Sequence, residues 1–442
     1  MNLKTLNIVA AIAAVASATL PSQAATPQVT SVTMTQPGPT RLVKIDYTFT
    51  GADAVITLDV QTNAPGGAWA SIGGKAVCNA TGEVWKKVTN DGTTHKIEWH
   101  PDLSWPDHVI ADGGARAVII AWTLDNTPDY MAVDISATGG ADTQTYYPSA
   151  DFVPGGVTND HYKTLTILMR KIMAKDVKWT MGSVAETLRD ANEEPHQVTL
   201  TNNYYIGVFE VTQTQWQRIA GYNPSSFTVE NSMRPVEKIC YKDLRQGQGT
   251  ASSSAPADGG VYPDPPYGNS FLGLLRTKTH IDFDLPSEAQ WEFAARAGHG
   301  EGYWGDGSPL LFTSANKLDA NLALLSRCYF NGGKVANGSS YADPAVTCGA
   351  TNGTAVVGSY MPNSWGLYDM HGNVSEYCVD TFSENIKSLN GAVNTSGANY
   401  VVRGGGWGTA TTSCRSAYRS SATPGYRYNL YGFRLACTAG LK

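Results

Sequence analysis

Trp365-Gly366-Leu367-Tyr368-Asp369-Met370-His371-Gly372-Asn373-Val374-Ser375-Glu376 is the stretch on which the reading of this chain turns. It carries two carboxylates, Asp369 and Glu376, within eight residues around a glycine whose backbone can turn sharply. Hard oxygen donors at that density suit Ca²⁺ better than a soft metal. The same residues also read as a plain turn with a solvated acid pair, and His371 within it reads as solvent-exposed. Arg403-Gly404-Gly405-Gly406-Trp407 and Gly432-Phe433-Arg434-Leu435 follow, and Cys414 is the one cysteine between Arg403 and Arg434.

Upstream, two helices announce themselves by their starts. Thr212 and Gln215 form a capping box ahead of Trp216 and Ile219, with Gly221 as the stop; Ser287 and Gln290 repeat it ahead of Trp291, Phe293, Ala294 and Ala295, with Gly298 as the stop. Earlier still, the apolar run Ile167-Leu168-Met169 leads to Trp179-Thr180-Met181-Gly182-Ser183. The tract from Thr250 to Asp264, rich in Ala, Ser, Gly and Pro, reads as a surface insertion.

These motifs together resemble the sulfatase-modifying-factor family, whose fold is that of formylglycine-generating enzyme, over roughly residues 165 to 440. The resemblance implies an α+β domain of C-type lectin-like type, rich in irregular loops. It also implies a structural Ca²⁺ held by Asp369, Gly372, Val374 and Glu376.

The family enzyme uses two cysteines to hold Cu(I), activate oxygen and oxidise a protein cysteine. Matching Arg415 and Arg419 to the family's arginine pair puts Thr or Ala at both cysteine positions, with Cys414 between them. One thiolate does not make a two-sulfur site, and hydroxyls are poor ligands for copper(I). Cys414 reads as a packed or disulfide-bonded cysteine; as a catalytic residue it would act alone or with a cysteine such as Cys437. Copper enters only with that reading. No H-x-x-H or H-x-x-x-H pair occurs to suggest a histidine-bound iron.

The same segment carries Trp407, Thr409, Thr411, Thr412, Ser413, Ser420, Ser421, Thr423, Tyr426, Tyr428, Asn429 and Tyr431. Tyr, Ser and Asn are residues of binding loops, Tyr giving rigid contact area and the small polar residues adaptable hydrogen bonds. The arrangement is similar to the variable region of retroelement-diversified proteins built on this lectin-type fold, and equally to a polar cleft wall.

The N-terminal part reads differently. Residues 1–25 have the Lys4 n-region, an apolar run from Leu6 to Leu20 and small residues near Ala24 expected of a signal peptide. Residues 26–137 read as short strands from Val29, Leu42, Ala54, Ala117 and Tyr130, an all-β immunoglobulin-like sandwich. Residues 138–164 read as a linker and 165–442 as the second domain.

A net charge of -6, with charged residues at 16%, argues against nucleic acid as a partner. No stretch after the signal segment is long and apolar enough to span a membrane. Seven cysteines in an exported chain leave one unpaired in a monomer, and Cys328 with Cys348 suggest a local staple. The expectation is an exported protein, periplasmic, cell-surface or secreted. It binds a ligand, protein or peptide through its C-terminal surface; the alternative is an oxidoreductase of the formylglycine-generating type, or a divergent oxidase of the same fold.

Overall fold

The computed structural model describes the backbone of residues 7–8 and residues 25–38, 40–63, 67–111, 113–136, 143–183, 189–228, 233–247, 260–298, 353–359, 362–409 and 411–441. The signal segment, apart from that dipeptide's backbone, and Cys328 and Cys348 lie outside the described residues, as does most of the Thr250–Asp264 tract. The chain forms two compact units: Met1–Ala132 with Gln144–Asn159 and Ala439–Lys442, and Val133–Thr143 with Asp160–Thr438.

In the first unit β1 (Gln28–Thr35), β2 (Val43–Thr50) and β4 (His95–Trp99) pair antiparallel in one sheet, and β3 (Ala54–Asn63) pairs antiparallel with β5 (Ala115–Trp122) in another. Alternation fixes which face is inside: Val43, Ile45, Tyr47 and Phe49 are buried along β2, and His95, Ile97 and Trp99 along β4. The strand expected from Tyr130 does not stay in this unit. From Val133 the chain belongs to the second, where Ile135 N donates to Leu165 O. The stretch read as a linker contains the strand Gln144–Tyr147, which returns to the first unit, where Tyr146 N donates to Trp85 O.

The second unit is α+β. One sheet sets β9 (Tyr204–Gly207) antiparallel between β6 (Thr166–Ile172) and β14 (Ala436–Thr438), and β7 (Lys178–Met181) pairs with β8 (His196–Thr199). Another runs in the order β12 (Ser420–Ala422), β11 (Tyr400–Arg403), β10 (Ser375–Thr381), β13 (Tyr431–Gly432). The β10–β13 pair is parallel, so the C-terminal segment comes back alongside the Asp369–Glu376 turn.

Both capping boxes are present. Thr212 and Gln215 open α1 (Gln213–Ala220), and Gly221 closes it in the left-handed conformation. The Gln215 side chain also donates to Tyr162 O and Thr166 O, which ties α1 to the start of β6. Ser287 and Gln290 open α4 (Glu288–Arg296), which stops one residue before the expected Gly298: Ala297 itself adopts φ 49°. Between them lie α2 (Tyr241–Arg245) and α3 (Phe271–Thr279). Trp216 stacks on Phe271 at 4.5 Å, and Trp291, Phe293, Met370 and Cys378 share a second core cluster with Tyr204 and Ile206. The core is therefore built from the aromatic residues that the two capping boxes introduce.

Candidate functional site

The turn at Asp369–Glu376 is held by a second carboxylate that sequence inspection did not single out. Glu210 accepts from Val374 N (3.0 Å) and from Asn373 Nδ2 (2.6 Å), while Asp369 accepts from Gly358 N (2.7 Å). Asp369, Gly372 and Asn373 all have positive φ, and the turn is buried. Glu376 heads β10, with both oxygens engaged: Arg434 donates from Nε and Nη2 (2.6 Å each) and Trp291 from Nε1 (2.7 Å).

Three acids, Glu210, Asp369 and Glu376, thus share the buried Arg434. Burial pushes the Asp369 carboxyl up to about 6, and the Glu210 carboxyl well above its ordinary value, the charges of Asp369 and Glu376 adding to the effect. Asp369 Oδ1 is buried with no hydrogen-bond partner among the described residues. An unpartnered carboxylate oxygen in an acid-rich turn is the kind of donor a hard cation takes. The fit is partial, because Glu376 is already the partner of Arg434 and Trp291. No group of three or more His, Cys, Asp or Glu among the described residues is arranged to hold a metal.

Beside the turn lies a lattice of buried arginine–carboxylate pairs centred on α4. Glu288 and Glu292 lie one turn apart, so both face the same way. Glu288 takes a bidentate pair from Arg419 (2.7 and 2.8 Å); Glu292 takes Arg296, Arg403 and the backbone N–H of Gly182. Arg415 makes a bidentate pair with Glu193 (2.5 and 2.7 Å). Gly182, in the Met-Gly-Ser turn, needs its lack of a side chain: at φ 90°, a Cβ there would stand 2.6 Å from Glu193 O.

Cys414 sits inside this framework. It is buried, its Sγ is 3.8 Å from Thr409 Oγ1, and its carbonyl is 2.8 Å from His371 Nδ1. His371, expected at the surface, is instead 5% exposed, because its ring reaches across to this carbonyl. Cys78, Cys240, Cys378, Cys414 and Cys437 are all thiols, so Cys414 is packed rather than cross-linked. Burial pushes the Cys414 thiol up to about 12, and Cys437 likewise. A Cβ on Gly405 would meet Cys414 Sγ at 2.6 Å, so the glycine run presses directly on the sulfur. Burial of this kind disfavours the thiolate that a metal-free nucleophile requires.

The polar C-terminal residues fall into separate groups. Trp407 donates from Nε1 to Asn429 O (2.8 Å), and its ring meets Phe227 edge to face at 5.0 Å. Tyr426, Tyr428 and Tyr431 cluster with ring centroids 5.6–6.4 Å apart. Thr423 is exposed, and Ser420 and Ser421 lie partly exposed on β12. Thr409 is spent on its own turn, exchanging bonds with Gly406 N and O. Ser413 is half-buried in the short Thr411–Cys414 helix; the side chains of Thr411 and Thr412 lie outside the described residues. Sequence reasoning missed Lys238 and Lys242, whose backbone N–H groups donate to Tyr428 O and Pro424 O from another element and carry no local signal of that placement.

The sulfatase-modifying factor enzyme 1-like domain family matches residues 171–439. Among curated relatives, the chain is similar to a chaperone protein LppX of Paenibacillus barcinonensis, 26% identical over 259 residues, which is 56% of this chain and 83% of that one. It is also similar to a formylglycine-generating enzyme of Streptomyces coelicolor, 35% identical over 166 residues, covering 36% of this chain and 47% of the enzyme. Among solved structures, Treponema denticola variable protein 1 is 27% identical at a TM-score of 0.42, covering 62% of this chain and 96% of that one.

Proposed function

This chain belongs to the sulfatase-modifying factor enzyme 1-like family, and we propose that it is an exported member that has kept the fold and works as a binding module rather than as a two-cysteine oxidase. The observation that carries this reading is the setting of Cys414: it is buried, its Sγ lies 3.8 Å from the hydroxyl of Thr409, and burial pushes its thiol up to about 12. The relatives carry names of several kinds, among them a chaperone protein, serine/threonine-protein kinases and formylglycine-generating enzymes.

In this reading the ligand is a protein or peptide, and the contact surface is formed by Trp407, Thr423, Tyr426, Tyr428, Asn429 and Tyr431, with Ser420 and Ser421 at its edge. The N-terminal unit, read as an immunoglobulin-like sandwich, serves in this reading as a spacer or adhesive module. Diversification of the C-terminal segment by a retroelement belongs to the same reading; a reverse transcriptase and a near-identical template repeat beside the gene would support it. Calcium, if bound, takes Asp369 and the carbonyls of Gly372 and Val374, with Glu376 as a shared ligand, and fastens loops without chemistry. Removing it with a chelator should lower the melting temperature of the full chain.

The test is selection of a displayed random-peptide library against the full chain, followed by titration of the enriched peptides against Trp407→Ala and Tyr428→Ala. The expected result is peptides whose affinity falls at least tenfold, about 1.4 kcal/mol, in one or both variants. Peptides bound equally by all three proteins would place binding elsewhere.

A further inference from the structure

Two of the exposed large aromatic residues of the second unit, Tyr426 and Tyr428, meet in one loop, and a third, Tyr222, lies near the Arg427–Asp243 pair beside it. Tyr222, Tyr426 and Tyr428 are 38%, 51% and 40% exposed. Tyr426 and Tyr428 lie 5.7 Å apart, and Tyr222, just past the end of α1, lies within electrostatic reach of Arg427 and Asp243. Ring exposure on this scale within one loop cluster is contact area with nothing on it.

The cations around these rings come from two further stretches of chain. Lys238 N donates to Tyr428 O (3.1 Å) and Ile239 bridges Tyr428, so the backbone of the exposed Lys238 is fastened to the tyrosine loop. Lys242 N donates to Pro424 O, and a Cβ on Gly425 would lie 3.9 Å from Lys242 Cδ, so the lysine stem runs along the tyrosine loop. Arg427 is matched by Asp243, to which it donates from Nε (2.8 Å) and Nη2 (2.5 Å). The acid beside Lys238, Glu237, is buried and turned toward the backbone N–H groups of Ser226 and Phe227. Among the described residues, Lys238 and Lys242 therefore give this face a positive excess on a chain whose net charge is -6.

We infer that the tyrosine face formed with Lys238 and Lys242 docks an acidic polypeptide segment. The inference rests on the reading of the C-terminal surface as a binding face, and adds the chemistry of the partner. Two lysines, Lys238 with the buried Glu237 in electrostatic reach, suit a few carboxylates; a nucleic acid or a sulfated glycan, with a charge on nearly every unit, calls for a longer basic stripe. Rigid amphipathic rings with hydroxyls at their tips suit a polypeptide, whose side chains and backbone offer apolar and polar contacts together. Opposite charge at the rim sets the rate of encounter and excludes wrong partners.

The experiment titrates the full chain against a fluorescein-labelled peptide of alternating glutamate and tyrosine, its glutamine–tyrosine counterpart, and labelled heparin, by fluorescence anisotropy. The expected result is binding of the glutamate peptide that weakens as salt is raised, is weaker for the glutamine peptide, and falls about tenfold in Lys238→Glu/Lys242→Glu, a double substitution at the exposed Lys238 and half-buried Lys242 whose folding is checked by its melting curve. Equal binding of the two peptides, no binding of the glutamate peptide, indifference to the double substitution, or preference for heparin would each overturn the inference. Library-selected peptides that need Tyr428 yet ignore the lysines would remove only the acidic partner; selected peptides that need neither would remove the binding face itself.

Discussion

The C-terminal third contains two regions with the same parentage and opposite physics. Underneath, Arg403, Arg415, Arg419 and Arg434 are 4% exposed or less, and each is paired with a buried glutamate. Above, Thr423, Tyr426 and Tyr428 face solvent and make few side-chain bonds. Buried ion pairs contribute little net stability as pairs, but removing one partner is costly because the other charge is stranded. Exposed tyrosines on a loop can change with little effect on folding. The buried lattice fixes the loop ends, and the exposed residues between them can change without unfolding the domain.

The largest loss of stability is expected at Arg434. Arg434→Ala strands Glu376 beside Asp369 and Glu210, and should cost about 3–5 kcal/mol in denaturant unfolding. A loss under about 1 kcal/mol would mean that the lattice does not hold the region together.

Next comes pH. Burial, with the charge of Glu288 adding to it, pushes the Asp380 carboxyl up to about 7, against about 3.9 in an unfolded chain. The folded form therefore binds this proton more tightly than the unfolded form. Its contribution is fully present below about pH 4 and is lost as pH rises through about 7. Unfolding midpoints measured across that window should fall with rising pH, and Asp380→Asn, which cannot ionise, should flatten the slope.

The smallest effect on folding is expected at the surface. Tyr426→Ala with Tyr428→Ala should change stability by no more than about 0.5 kcal/mol in the same unfolding measurement while abolishing capture of the selected peptides. A large loss of stability there would erase the distinction between the two regions.

The parts legible in the sequence are those written locally. Capping boxes at Thr212 and Ser287 need four consecutive residues, and alternation along Val43–Thr50 needs one strand. The parts missed are long-range. Arg415 meets Glu193 across 222 positions and Arg419 meets Glu288 across 131, and no periodicity announces either pair. The burial of His371 follows from a carbonyl 43 positions away. Lys238 and Lys242 join the tyrosine face because a turn beyond Val236 bridges to Tyr428, an encounter only the folded chain creates. The strand from Tyr130 has ordinary strand composition, and composition does not say which unit a strand will serve.

The most direct test of the central claim is mass spectrometry of a Cys-x-Pro-x-Arg peptide incubated with the purified full chain, Cu(I), a thiol reductant and oxygen. The account predicts that the peptide keeps its thiol while the protein remains folded. Conversion of that thiol to an aldehyde, abolished by Cys414→Ser, would show that a single buried cysteine supports the reaction and would contradict the account.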